Sequence, residues 1–331
     1  MTGLPPAGGH GGDGPMAGLP PPGAHGGDGP AVAAWLGVSA DGILDLSASL
    51  NPVAPDPVLV AGRHLSAIRR YPTPGGTARA TRALAGAIGV APERLLLTNG
   101  GAEAIALVAA EIGGSVAEPD FGLYPRGGGP RWQSNPHNPS GLLADASARP
   151  AVWDEAFYPL ATGQWTRGDD GPVVVGSLTK LFACPGLRLG YLLADPGFVL
   201  RCRERQPAWA VNGLAVEMLP ELIALADLVS WQRQVAALRG ELETVLRRHG
   251  LEPRPSQASW LLVDAPGLRA RLAPAGIVVR DCTSFGMPGV MRIAVPGEAG
   301  IARLAEALDR TAGPAEPAGF TKRHSERQGN E

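Results

Sequence analysis

Between residues 94 and 193, short apolar runs ending in polar residues alternate with helical patterns, and this alternation limits the folds open to the chain more than any other feature. Arg94–Thr98 (RLLLT) reads as a strand, after which Asn99-Gly100-Gly101 turns into a helix from Ala102 to about Ile112. Ala151–Trp153, Pro172–Gly176 (PVVVG) and Leu189–Leu193 (LGYLL) are short buried-strand patterns of the same kind. Strands alternating with helices predict an open, mostly parallel α/β sheet, with ligands bound beyond the strand C-termini. Two long helical patterns follow at 211–225 and 227–249, the second charged on one face, as suits a bridge between two lobes. Strands at Trp260–Asp264, Ile277–Arg280 and Met291–Ala294, then a helix near Ala299–Arg310, predict a smaller α+β lobe.

The ends of the chain read differently. Of the first 30 residues, 18 are glycine or proline, and Gly3–Pro15 (GLPPAGGHGGDGP) is echoed by Gly18–Pro30 (GLPPPGAHGGDGP). Such a segment buries too little apolar surface to offset its chain entropy, so a disordered arm is expected over 1–23. A polar tail is expected over 313–331. The net charge of −2 and pI near 6.3 provide no broad field for nucleic acid or an anionic membrane, and neither partner is expected. Cys184, Cys202 and Cys282 lie far apart with no C-x-x-C pair, so neither a disulfide framework nor a thiolate metal site is written here. With no signal-like start and no apolar run of spanning length, the expectation is a cytoplasmic protein.

Lysine usage points to chemistry. Only Lys180 and Lys322 are lysine, against 27 arginines, and Lys322 lies in the polar tail. A shielded ammonium can lose its proton and attack an aldehyde, whereas a guanidinium stays protonated, so Lys180 reads as a Schiff-base lysine for pyridoxal 5'-phosphate (PLP). The other parts of that cofactor find matching residue types. Gly100, Gly101 and Ala102 open a helix whose free amides suit a phosphate, and Ser177, Thr179 and Arg188 flank Lys180 with hydroxyls and a guanidinium. Asp154, at the end of a strand, suits the pyridine nitrogen. Singly, each has a plainer reading as a turn, a cap or a surface charge. Their joint order and spacing carry the assignment.

Those residues also carry a family resemblance. Ser177–Tyr191 (SLTKLFACPGLRLGY) resembles the lysine motif of fold-type I PLP enzymes, and NPHNPSG (Asn135–Gly141) resembles the loop whose asparagine, here Asn138, meets the cofactor 3-oxygen. PDFGLY (Pro119–Tyr124) resembles the segment whose aromatic, here Phe121, stacks on the ring. YPTPGG (Tyr71–Gly76) is similar to the one whose tyrosine, here Tyr71, reaches the neighbouring subunit's phosphate. The resemblance thus implies a homodimer with shared active sites. Within that fold, Ala24–Pro55, Gln206–Ala215 and Val278–Pro296 resemble threonine-phosphate decarboxylases of cobalamin biosynthesis, with histidinol-phosphate aminotransferases next. By that resemblance His25, Asn51, Arg280 and Arg292 bind a phosphorylated amino-acid substrate.

The resemblance implies an aspartate-aminotransferase-like fold. Its parts are an arm over 24–72 contributing to the small domain, a PLP-binding large domain over 73–225, and a connecting helix with the small domain over 226–312. Two departures stand out. Phe157 occupies the place where the aminotransferases carry tyrosine, and about ten residues separate Tyr124 from Asn135, so the sheet is expected to be shortened there. Three readings stay open at this level: decarboxylation of L-threonine O-3-phosphate, transamination of a histidinol-phosphate type of substrate, and an inactive relative kept as an interaction partner.

Overall fold

The computed structural model describes residues 18–167 and 171–311. The expected tail and most of the expected N-terminal arm, including the first repeat copy, lie outside them. Two sheets organise the chain. The small one contains β1 (Leu44–Leu46), and the large one contains β2 (Leu95–Asn99), β3 (Trp132–Ser134), β4 (Val152–Asp154), β5 (Val173–Ser177) and β6 (Leu189–Leu193). β7 (Trp260–Asp264), β8 (Ile277–Asp281) and β9 (Val290–Ala294) complete the small sheet, in the order β1-β8-β9-β7.

The large sheet runs β2-β6-β5-β4-β3. β6 is antiparallel to both neighbours and the other pairings are parallel, so four strands point one way and β6 alone is reversed. Its strands are short and apolar on both faces, β6 being buried throughout, because helices cover the sheet on each side. Gly190 of β6 lets the following layer approach, since a Cβ there would lie 2.4 Å from the backbone of Gly100. Between helix Gly100–Ile112 and β3, the described residues form no strand, and one bridge, Ser115 to Arg131, is all that prolongs the sheet. β3 itself falls within the 124–135 interval, so the shortened stretch is the edge segment before it.

Helix ends follow the sequence closely. Asn212 caps Gly213–Ala224 by accepting from the Ala215 amide, and Asp227 caps Leu228–Arg248 by accepting from Ser230. Leu228 and Trp231 of the second helix join the large-sheet core, while Leu238, Leu242 and Leu246 join the small-sheet core. This spacing of three and four residues keeps one stripe buried over 21 residues, about 30 Å, so a single helix serves both cores.

The start of the described chain is tied down. The amides of Gly27 and Asp28 donate to Ser47 Oγ (2.8 and 3.1 Å), Arg269 donates to the Pro20 carbonyl (2.8 Å), and Asp28 pairs with Arg269 at 3.7 Å. Residues 18–23, read from sequence as part of a disordered arm, therefore hold defined contacts.

Candidate active site

The C-terminal ends of β2, β3, β4 and β5 meet at one edge of the large sheet, and the reversed β6 brings its N-terminal end to the same edge. A cavity of ≈ 380 Å³ opens there. From β5 the chain enters the short helix Leu178–Leu181, which carries Lys180 into the cavity; Asp154 ends β4, and Arg188 immediately precedes β6. His25, Gly101, Ala102, Phe121, Asn138 and Ser177 line the same space, as do Thr179, Arg280 and Arg292.

No described residue hydrogen-bonds or ion-pairs with the Lys180 amine. Burial, reinforced by the charges of Arg292, Arg188 and Arg280, lowers its pKa to about 8. The Asp154 carboxyl is pushed up to about 6, chiefly by burial. Hydrogen bonds from Tyr124 Oη (2.7 Å) and the Ala156 amide (2.9 Å) oppose that rise, and the nearby Asp120 adds to it.

Asn138 has a determined orientation. A guanidinium only donates, so the 2.8 Å contact with Arg292 Nη1 fixes the asparagine oxygen on that side and leaves its NH₂ for another acceptor. Gly100 has φ +71°, and a Cβ there would stand 2.5 Å from Arg188 Nη2, so the absence of a side chain seats that arginine at the helix start.

Arg280 and Arg292 face each other directly across β8 and β9, both buried at 2% and 4% exposure. Arg280 donates to the Ala24 carbonyl (2.6 Å) and lies over Phe285; Arg292 lies over Trp260. Neither forms an ion pair with a described carboxylate, and the Nε of each is buried without a partner. Burial, with repulsion from Arg280, lowers the Arg292 pKa to about 9. Like charges placed opposite each other on a sheet destabilise it, so this pair makes sense as a receptor for an anion.

Three of the residues singled out from sequence sit elsewhere. Asn51 does not face the cavity: its NH₂ donates to the Leu181 carbonyl (2.9 Å), its oxygen accepts from Val53, and its amide donates to the Lys180 carbonyl (3.0 Å). Asn51 thus supports the lysine helix. Tyr71 is 72% exposed and stacks on Trp209 at 4.5 Å, outside the cavity of its own chain. Gly100 stands just behind the wall. Thr179 lines the cavity, but its hydroxyl is engaged with the Leu189 backbone of β6. Phe157 packs edge-on against Trp260 at 4.7 Å. Sequence reasoning missed Tyr124; its spacing of three residues from Phe121 was the available signal.

Comparison with known proteins agrees with this geometry. The model of the family "Aminotransferase class I and II" matches residues 132–308. Threonine-phosphate decarboxylase of Salmonella typhimurium is 30% identical, the match covering 83% of this chain and 93% of the relative. A histidinol-phosphate aminotransferase of Symbiobacterium thermophilum is 28% identical over 82% and 91%. Among solved structures, L-threonine-O-3-phosphate decarboxylase from Porphyromonas gingivalis superposes with TM-score 0.66 at 23% identity, covering 81% of this chain and 98% of that one. Histidinol-phosphate aminotransferase from Sinorhizobium meliloti, in complex with pyridoxal-5'-phosphate, does so with TM-score 0.72 at 18% identity, over 85% and 93%. The chain belongs to the class I and II aminotransferase family, the PLP-dependent enzymes of fold type I.

Proposed function

We propose that this enzyme decarboxylates L-threonine O-3-phosphate to aminopropanol phosphate, a step of cobalamin biosynthesis. The observation that carries the reading is the pair of buried, opposed guanidiniums with no acidic partner among the described residues. A substrate with a single carboxylate would answer one of them. A doubly charged phosphate can answer both at once and leave the carboxylate of a phosphorylated amino acid free of them, and His25 lines the same wall. The relative from Salmonella typhimurium supports the choice of substrate.

The residues present fit the cofactor. The helix-start amides of Gly101 and Ala102, with Ser177 and Arg188, suit its phosphate, Asp154 its ring nitrogen, and the free NH₂ of Asn138 its 3-oxygen. Phe121 offers a ring face. When bound, PLP supplies an electron sink for the bond broken at the substrate α-carbon. Lys180 is the attachment point for the aldehyde, and its lowered pKa keeps a useful fraction of the amine neutral near pH 8. Asp154 would hold a proton on the ring nitrogen. Arg280 and Arg292 would hold the substrate phosphate, leaving its carboxylate without a guanidinium partner and free to depart as carbon dioxide. Phe157, packed on Trp260, leaves the 3-oxygen without a phenol donor from that position.

We further propose a cytoplasmic homodimer in which Tyr71 reaches the partner's cofactor phosphate. Residues 73–225 would form the cofactor domain, with 24–72 and 226–312 forming the small one. Tyr71 and Trp209, both exposed and stacked, suit such an interface. Incubation with phosphothreonine should release carbon dioxide. Amino transfer from histidinol phosphate to 2-oxoglutarate, without carbon dioxide from phosphothreonine, would replace this reading with a transaminase.

A further inference from the structure

The segment Glu118–Arg126 has no regular secondary structure, yet it carries Phe121 and Tyr124 into the cavity. Its carbonyls lack strand partners and need donors from elsewhere. Arg126 provides them. Its Nη1 donates to the carbonyls of Tyr124 (2.8 Å), Gly122 (3.2 Å) and Phe121 (3.3 Å), and its Nη2 to those of Asp120 (3.2 Å) and Phe121 (3.3 Å). The Nε completes the set with Glu118 Oε1 at 2.6 Å. One guanidinium therefore gathers four carbonyls of a five-residue turn, a task for its planar fork that a lysine ammonium cannot repeat.

The turn ends on Tyr124, whose hydroxyl reaches Asp154 Oδ2 at 2.7 Å, while its ring packs against Trp132 at 5.6 Å. Burial and the carboxylates of Asp154 and Asp120 hold that phenol protonated, so it is the donor. At the other end of the turn, Asp120 accepts from Ser134 Oγ (2.8 Å), which itself accepts from the Asn138 amide (2.8 Å). Both ends of the turn therefore lead to residues of the cavity wall.

We infer that Arg126 is a positioning residue for the cofactor site, acting on Asp154 through Tyr124. Arg126 does not line the cavity and has no place among the cofactor contacts proposed above. The inference rests on the reading of this cavity as the PLP site. Loss of the guanidinium frees the turn, withdraws the Tyr124 hydroxyl from Asp154, and weakens the carboxylate's hold on a protonated ring nitrogen.

The test is a double-mutant cycle on PLP affinity, read by quenching of intrinsic fluorescence in the full-length apoprotein, with thermal midpoints measured alongside. R126K and R126Q should each weaken PLP by about tenfold, the order expected for one hydrogen bond to a charged group. In a Y124F background the R126Q effect should fall to about twofold, because the route through the phenol is already cut. Two results would overturn the inference. One is wild-type affinity in R126K, meaning that a charge facing Glu118 suffices. The other is an R126Q effect that persists undiminished in Y124F. D154N serves as the separate check on the site: if it binds PLP like wild type, the cavity assignment fails whatever Arg126 does. If D154N binds weakly while R126K and R126Q bind normally, only the role of Arg126 fails.

Discussion

Replacing Arg280 by methionine should make the protein more stable while damaging its use of substrate. Burial and the charge of Arg280 make the charged form of Arg292 unfavourable, bringing its pKa down to about 9 from an ordinary 12.5. Burial is the larger cause and Arg280 the next, so methionine at 280 removes part of that cost. It also removes a second buried cation, itself a penalty of several kcal/mol. Against this stand the loss of the Ala24 hydrogen bond, about 1.5–3 kcal/mol, and of the contact with Phe285, about 0.5–1 kcal/mol. The balance is a gain of about 1–2 kcal/mol, or about 1.5–3 °C in the thermal midpoint of a chain of this length. The assay is thermal unfolding of PLP-loaded protein in buffer free of phosphate and sulfate, then with inorganic phosphate added. Wild type should gain stability with phosphate, by about 2.7 kcal/mol at a hundred times its dissociation constant, and R280M should gain much less. An R280M protein less stable than wild type in anion-free buffer would refute the reasoning, since the pair would then be structural rather than an anion receptor.

Three further outcomes are expected. R188A should weaken PLP by about 1.5–3 kcal/mol, roughly ten- to a hundredfold, and an unchanged dissociation constant would remove Arg188 from the phosphate site. G100A should have a comparable effect, because its new Cβ would meet Arg188 Nη2 at 2.5 Å and the backbone sits at φ +71°; normal affinity in this variant would show that Arg188 has no need of that seat. Covalent attachment of PLP to the apoprotein should speed up about tenfold per pH unit and level off above about pH 8, because only the neutral Lys180 amine reacts. The depressed pKa costs the apo fold stability in full below about pH 8, and that cost fades between 8 and 10.5; a flat attachment profile from pH 6 to 9 would contradict the shift.

Much of this architecture could be read from local pattern, because the elements are marked locally. The run LGYLL is β6 from end to end, and Trp260–Asp264 is β7, each being a continuous apolar stretch between breakers. β1 and β3 escaped notice because a polar central residue, Asp45 or Gln133, interrupts each three-residue strand, whereas the equally short β4 overlaps the apolar run Ala151–Trp153; β1 and β3 are fixed by their partners, Leu44 on Ile277 and Trp132 on Val152. The cavity divides in the same way. Lys180, Arg188, Asp154 and Asn138 sit in short motifs whose internal spacing is informative. The facing of Arg280 by Arg292 is a matter of strand register, and the Tyr124 contact with Asp154 spans 30 residues of sequence. Asn51 shows the converse case, since a conspicuous motif residue spends its side chain on backbone, its NH₂ donating to the Leu181 carbonyl of the lysine helix and its oxygen accepting from Val53.

The shortened sheet edge and the chemistry of the cavity are connected through one segment. A bare edge at β3 would expose unpaired backbone groups, an invitation to association. Residues 113–131 cover it: Trp132 donates its amide to the Ser115 carbonyl (2.9 Å) and its indole N–H to Gly113 (3.0 Å). Gly114 allows the close approach, since a Cβ there would overlap the indole at 2.0 Å. The same covering segment then turns back over the strand ends and presents Phe121 and Tyr124 to the cavity. Covering the edge and lining the cavity are thus done by one stretch of chain. Its fit against Trp132 decides where the Tyr124 hydroxyl stands, and Tyr124 and Trp132 are themselves buried with Leu96, Val152 and Val175 on the large sheet, so a substitution that loosens this cover should lower cofactor affinity and stability together.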